Sequence, residues 1–269
     1  MADAIAAPDY GLDAPGIVHS MFSRGAWSLG IGLVMFLINR GEYPGPAFNL
    51  LAALGSLGVV FLIVGGVMVW SSRVAKLGLR DQLLDAVNPT GGEKVLDVGC
   101  GLGLLAIGAA KRLASSGRVT GVDVWSSRDL AGRGLKIAGE VTARGARTRV
   151  TQASGNSAEA ARENAKREGV ADKVRFETGD ARKLVYPEGN FDVVVSCLAI
   201  HNIGDREGRE QAVREMFRVL KPGGRLAVFD LFHAAQYAEV LQAAGAKDVT
   251  LSGISWLWCV PGRTLTGRK

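Results

Sequence analysis

The stretch VLDVGCGLG, Val95 to Gly103, decides how this chain is read. An apolar run suited to a buried strand ends there, and three glycines follow on alternate positions, Gly99, Gly101 and Gly103. Side chains are absent where backbone must turn tightly or come close to a ligand or a helix. In an open parallel sheet that place is the carboxyl edge of the first strand, where ligands bind.

Working outward, strands are predicted at Lys94 to Val98, Arg118 to Val124, Lys173 to Thr178, Phe191 to Cys197 and Arg225 to Leu231. Helical patterns fall at Val74 to Val87, Leu104 to Ser115, Ala158 to Glu168, Arg206 to Leu220 and His233 to Ala244. Such alternation predicts an α/β fold, a Rossmann-like and mostly parallel sheet with helices on both faces. Two further strands are expected within Asp248 to Gly267, turning at Pro261-Gly262 and finishing the sheet antiparallel.

The glycine loop alone is a weak signal, so its partners matter. Asp123 ends VTGVDV, twenty residues beyond Gly103, where a carboxylate can accept hydrogen bonds from both hydroxyls of a ribose. A dinucleotide fingerprint would need Gly or Ala at position 104, and Leu104 stands there, which disfavours pyrophosphate and a nicotinamide-dependent oxidoreductase. Gly179-Asp180-Ala181 follows the strand KVRFET, with Asp180 placed for an adenine amino group, and FDVVVSCLAIHNI precedes a helix and VLKPGGRLAVFD.

This ordered set resembles the class I S-adenosylmethionine-dependent methyltransferases over roughly residues 74 to 269. The resemblance implies a seven-stranded sheet with the last strand reversed and S-adenosylmethionine as cofactor. It places Asp97, Gly99, Cys100, Gly101 and Gly103 against the methionine part, Asp123 on the ribose and Asp180-Ala181 on the adenine. Ser196 completes the expected cofactor set. Trp125 is placed to pack on the adenine face, with a core position as the alternative.

Ahead of this domain lies a different composition. Tyr43 to Ser72 carries no charged side chain, and the 24 residues Ala47 to Trp70 would form a helix of about 36 Å, enough to cross a hydrocarbon core of about 30 Å. Gly25 to Asn39 is shorter and spans if its helix begins near Gly16, a re-entrant helix being the alternative. The expectation is a membrane anchor over 1–72, with transmembrane helices at about 17–39 and 47–70, and a catalytic domain over 73–269. Gly30, Gly32, Gly55 and Gly58 are the candidates for close helix approach. Arg24, Arg73, Lys76 and Arg80 outnumber Arg40 in the turn, so the positive-inside bias puts the catalytic domain in the cytoplasm, at the inner membrane of a bacterium. Acidic residues ahead of the first apolar run argue against a cleaved signal peptide.

The chain has 269 residues, a net charge of +6 and 48% hydrophobic residues. Its basic character beyond the anchor suits an anionic surface or substrate; no helix-turn-helix, zinc-finger or aromatic RNA-binding signature is present, so nucleic acid is not an expected partner. Three widely spaced cysteines, Cys100, Cys197 and Cys259, without a CxxC pair, make neither a disulfide framework nor a zinc site, and no metal is expected. A basic insertion at about 126–153 carries Arg128, Arg133, Lys136, Arg144, Arg147 and Arg149.

His201 and His233 each lie just past a predicted strand end, on the ligand-binding edge, and are the candidates for substrate contact or general base catalysis. Asn202 and Asp230 support them, or else cap a helix or hold a loop. The anchor points to a small, lipophilic acceptor entering from the membrane. A membrane-tethered binder of the same cofactor without catalysis is the competing expectation.

Overall fold

The computed structural model describes residues 7–12, 14–38, 46–125, 157–257 and 260–269. These divide into two units. Leu12–Lys76 forms one; residues up to Gly11 and Leu77–Lys269 form the other, so the first residues described fold with the α/β unit and not with the apolar hairpin.

In the hairpin unit, α1 (Pro15–Ile38) packs against α2 (Pro46–Trp70), and a single π turn, Ser71–Ala75, leads into α3 (Lys76–Val87). Two helical stretches, Pro15–Leu37 and Ala52–Val87, are long and apolar enough to cross a membrane. The helices meet at Gly58, one of the expected glycines, and at Gly25, which was not among them. A Cβ at Gly25 would lie 2.7 Å from Leu62 and one at Gly58 2.7 Å from Leu29, whereas Gly30 and Gly55 face open space. The hydroxyl of Ser28 donates to the carbonyl of Leu54 at 2.7 Å, so its polarity is satisfied between the helices.

The α/β unit contains β1 (Lys94–Val98), α4 (Leu104–Arg112), β2 (Arg118–Asp123), α5 (Ala158–Arg167), β3 (Val174–Thr178), β4 (Phe191–Cys197), α6 (Arg206–Val219), β5 (Leu220–Leu231), α7 (Ala234–Ala243), β6 (Lys247–Leu251), β7 (Ser255–Leu257) and β8 (Val260–Arg268). The sheet order is β3-β2-β1-β4-β5-β8-β6, with β7 also on β8. Strands β1 to β5 pair in parallel, and β8 runs antiparallel to β5, β6 and β7.

The sheet has eight strands among the described residues, not the seven expected. The reason is local. Both β6 and β7 pair with β8, and the register slips by one residue between Leu251↔Leu265 and Ser255↔Gly262, so one edge strand is broken by a bulge at 252–254. Pro261-Gly262 is not the turn it was expected to be; both residues lie within β8. Gly262 is needed there for packing, because a Cβ would stand 2.3 Å from the Phe229 ring.

Alternation along the central strands gives the sheet two buried faces. Leu96, Val98, Val194, Leu226 and Val228 meet Met216, Phe217, Tyr237 and Leu241 of α6 and α7 in one core. Asp97, on the other face of β1, reaches α4. The strand ends that carry the glycine loop, Asp123, His201 and Asp230 therefore converge at one carboxyl edge.

Candidate cofactor and active site

The loop after β1 is shaped by backbone. Gly99, Gly101 and Gly103 have φ of 74°, 50° and 86°, in the left-handed region that L side chains avoid. Gly99 also has no room for a side chain, since a Cβ would stand 2.1 Å from the Cβ of Ala199, in the loop after β4. Gly103 occupies the N-cap of α4 without a capping side chain. That role passes to Asp97, whose Oδ2 accepts the Ala106 N–H at 2.9 Å.

Asp97 is 1% exposed, and its Oδ1 has no partner among the described residues. Burial raises its pKa to about 8. Asp123 ends β2 and accepts N–H groups from Gly101 at 2.8 Å, Val124 at 2.7 Å and Trp125 at 3.4 Å. Burial raises its pKa against the pull of those bonds. One carboxylate thus ties the tip of β2 to the middle of the glycine loop.

Trp125 is buried, edge-on to Phe176, with an unpartnered Nε1 among the described residues. Cys100 is buried beneath the loop and burial raises its thiol pKa well above the usual value, so it is no nucleophile. The Ser196 hydroxyl donates to the Val98 carbonyl at 2.8 Å inside the sheet, a tie between β4 and β1. Asp180 is gripped by Arg182, whose Nη2 and Nε lie 2.7 Å and 3.0 Å from Oδ2. Burial would raise the Asp180 pKa, but the Arg182 bonds outweigh it and the net shift is downward. Ala181 packs at the margin of the core.

The second half of the site lies past β4 and β5. Asp230 is fully buried and accepts the His201 N–H at 2.9 Å, the Leu231 N–H at 2.9 Å and the Tyr237 hydroxyl at 3.1 Å, while also pairing with His201 Nδ1. Asn202 is exposed and donates to the Leu198 carbonyl at 3.3 Å. His233 starts α7 with its ring 6.5 Å from that of Tyr237; burial first, then the Arg209 charge, lowers its pKa.

Sequence reading missed Arg209 and Tyr237. Arg209 is 9% exposed, donates from Nη1 to the carbonyls of Ile203 at 2.8 Å and Gly204 at 3.3 Å, and so fastens the turn that carries His201. Neither residue has a local signature; each joins the site through the packing of α6 and α7. A different signal marks the edge as a whole. Trp125, Leu198 and Phe232, which follow β2, β4 and β5, all have positive φ without being glycine, between 41° and 62°. Strain of about 1–3 kcal/mol at each persists only where surrounding structure enforces it.

The basic insertion at about 126–153 lies outside the described residues, as do Trp258 and Cys259. Among the described residues, no group of three or more His, Cys, Asp or Glu side chains is placed to hold a metal ion.

Residues 128–228 match the family described as Methyltransferase domain. The chain is 33% identical to methyltransferase GfsG of Streptomyces halstedii over 65% of this chain and 50% of that protein. It is 32% identical to the ubiquinone/menaquinone biosynthesis C-methyltransferase UbiE of Azotobacter vinelandii over 52% of this chain and 42% of that protein. The chain thus spans about half the length, or less, of these curated relatives. Among solved structures, the [4+2]-cyclase SpnF superposes with a TM-score of 0.53 at 21% identity, over 74% of this chain and 82% of that one, a likeness of fold.

The cofactor these matches imply fits the residues present. The loop has no side chain at Gly99, Gly101 and Gly103, and two buried polar atoms, Asp97 Oδ1 and Trp125 Nε1, lack partners among the described residues. A ligand carrying an ammonium group, a ribose and a purine supplies what these groups are missing.

Proposed function

We propose that this chain, whose α/β unit is a class I S-adenosylmethionine-dependent methyltransferase domain with S-adenosylmethionine as its cofactor, is a membrane-anchored enzyme that methylates a small, lipophilic acceptor. Residues 12–76 supply the anchor and the later residues the catalytic domain, on the cytoplasmic side of a bacterial inner membrane. The observation that carries the reading is the His201–Asp230 pair beside the glycine loop. Ala199, two residues before His201, closes against Gly99, so the base and the cofactor loop share one wall.

Bound S-adenosylmethionine supplies an activated methyl group, which leaves the protein the tasks of alignment, desolvation and proton removal. Glycine-loop backbone and Asp97 would hold the methionine end, Asp123 the ribose, and Trp125 and Asp180-Ala181 the adenine. Asp230 holds the His201 ring at Nδ1; with Nδ1–H as the donor, Nε2 would be the atom free to take a proton from the acceptor. His201 takes the proton of an acceptor O–H or activated C–H, and the buried Asp230 carboxylate stabilises the imidazolium that results. His233 and Asn202 flank the acceptor. Support for a lipophilic acceptor comes from the two apolar helices and from UbiE, a relative named for quinone biosynthesis.

The test is methyl transfer from labelled cofactor into bacterial lipid extract by detergent-purified protein, alongside fractionation of cells after an alkaline wash. Label in an organic-soluble product, with the protein retained in the washed membranes, supports the reading. Release by the wash would end the anchor, and label confined to water-soluble acceptors would end the lipophilic substrate. A second reading is cofactor binding without methyl transfer; tight cofactor binding with no transfer to any extract would favour it.

A further inference from the structure

We infer that the N-terminal strap Ala7–Gly11 forms part of the cofactor site and that Asn164 is the residue that positions it. The inference rests on the reading that the glycine loop takes S-adenosylmethionine.

Asn164 lies on α5 and is 3% exposed. Its Oδ1 accepts the Asp9 N–H at 3.0 Å, and its Nδ2 donates both to the Asp9 carbonyl at 2.8 Å and to the Leu102 carbonyl at 3.1 Å. An amide side chain has two donors and one carbonyl acceptor, and here all are used. Asn164 therefore grips the strap backbone as a neighbouring strand would, and spends its remaining donor on the cofactor loop.

Leu102 sits between Gly101 and Gly103, and its peptide is held at both ends. The carbonyl is bonded to Asn164, and the following N–H, that of Gly103, donates to the Cys100 carbonyl at 2.8 Å. Gly11 packs over the same residue, with room so limited that a Cβ would stand 3.0 Å from Leu102 Cδ1. The rest of the strap is fastened independently: the Tyr10 hydroxyl donates to Glu168 at 3.0 Å, Glu168 pairs with Lys111 of α4, and Arg167 donates to the Ala7 carbonyl at 3.2 Å. Buried next to the Glu168 carboxylate, the Tyr10 hydroxyl has its pKa raised, so it remains a donor.

The loop that cradles the cofactor and the strap that covers Leu102 thus share one rigid peptide. Ligand binding and strap docking stabilise the same loop conformation, and coupling of this kind is reciprocal.

The test uses full-length protein in detergent, titrated with S-adenosylhomocysteine, for wild type, Asn164→Ala and Tyr10→Phe. Tyr10→Phe loosens the strap without touching Leu102 and guards against an Asn164→Ala protein that merely folds poorly. We expect the dissociation constant to rise about tenfold for Asn164→Ala and about threefold for Tyr10→Phe, as for the loss of one or two net hydrogen bonds. Hydrogen exchange of residues 7–11 should slow on adding ligand in the wild type and not in Asn164→Ala. Unchanged affinity in both variants, or exchange at 7–11 indifferent to ligand in a wild type that binds, overturns the inference. A wild type that binds no S-adenosylhomocysteine overturns the cofactor reading itself, and the wild-type titration alone tells that failure from the other.

Discussion

His201 and Asp230 follow or end two different strands, β4 and β5, yet the Asp230 carboxylate holds both the backbone N–H and the Nδ1 of His201. A side chain that fixes the ring and the turn beneath it leaves His201 little freedom except at Nε2. Replacing His201 by Ala should lower the rate of methyl transfer about 10²–10⁴-fold, the usual contribution of a general base, with cofactor affinity unchanged. Asp230→Asn should slow transfer as well and also weaken the fold by about 1–3 kcal/mol, because the Tyr237 hydroxyl and two N–H groups that share its two oxygens would be left with one acceptor oxygen. Single-turnover transfer and urea unfolding on each variant separate the two effects. Full activity in His201→Ala would remove the base from the mechanism.

Much of this arrangement was legible along the chain, because strands and helices here are set by local pattern. Lys94–Val98 and Phe191–Cys197 are the strands read from the sequence, and α6 ends one residue short of its expected limit. The glycine loop and Asp123 were legible for the same reason, since a tight turn leaves its mark at the residues that make it. What the sequence concealed depends on partners far away in the chain. Gly262 looks like a turn glycine until Phe229 is placed beside it, and Gly25 looks unremarkable until Leu62 fills the space opposite. Asn164 and Arg209 read as ordinary polar residues on amphipathic helices; only the packed structure brings Leu102 to one and the His201 turn to the other.

Asp97 makes the fold respond to pH and, in the role proposed for it, cofactor binding as well. Its pKa is about 8 in the folded protein against an ordinary 3.8, so folding takes up a proton between those values. The folded state then binds more protons than the unfolded one, and stability falls as pH rises from about 4 toward 8. Asp97→Asn should flatten that slope in urea titrations across the range. A cationic ammonium group favours the ionised carboxylate, so cofactor affinity in the wild type should rise between pH 6 and 8.5, with a proton released on binding. Calorimetry in two buffers of different ionisation enthalpy reads that proton directly. Equal apparent enthalpies in the two would contradict the assignment.

Two glycine-to-alanine changes add the same methyl group in different places. At Gly99 it meets both a φ of 74° and a Cβ 2.1 Å away, and the loss should be about 2–4 kcal/mol together with cofactor binding. At Gly262 it meets only the Phe229 ring, 2.3 Å away in the antiparallel end of the sheet, and the loss should be about 1–3 kcal/mol with cofactor affinity intact. Chemical unfolding with a parallel ligand titration distinguishes them. Loss of binding in Gly262→Ala as severe as in Gly99→Ala would mean that the two ends of the sheet edge are not independent.

Asp123 braces the loop, and a ligand series can test the proposed ribose role apart from that brace. Its carboxylate accepts three N–H groups and so shapes the loop before any ligand arrives, while an ionised carboxylate keeps acceptor capacity for ribose hydroxyls. Asp123→Ala should therefore weaken S-adenosylhomocysteine by about two orders of magnitude, since hydrogen bonds to a charged group contribute roughly 1.5–3 kcal/mol each. The 2′,3′-dideoxy analogue separates the roles. The wild type should prefer the natural ligand by at least about tenfold, because removing the hydroxyls strands the carboxylate. Asp123→Ala should bind both ligands with similar, weak affinity, since the group that tells them apart is gone. A variant that keeps the full preference would leave Asp123 as a brace of the loop alone and move ribose recognition to another residue at the edge.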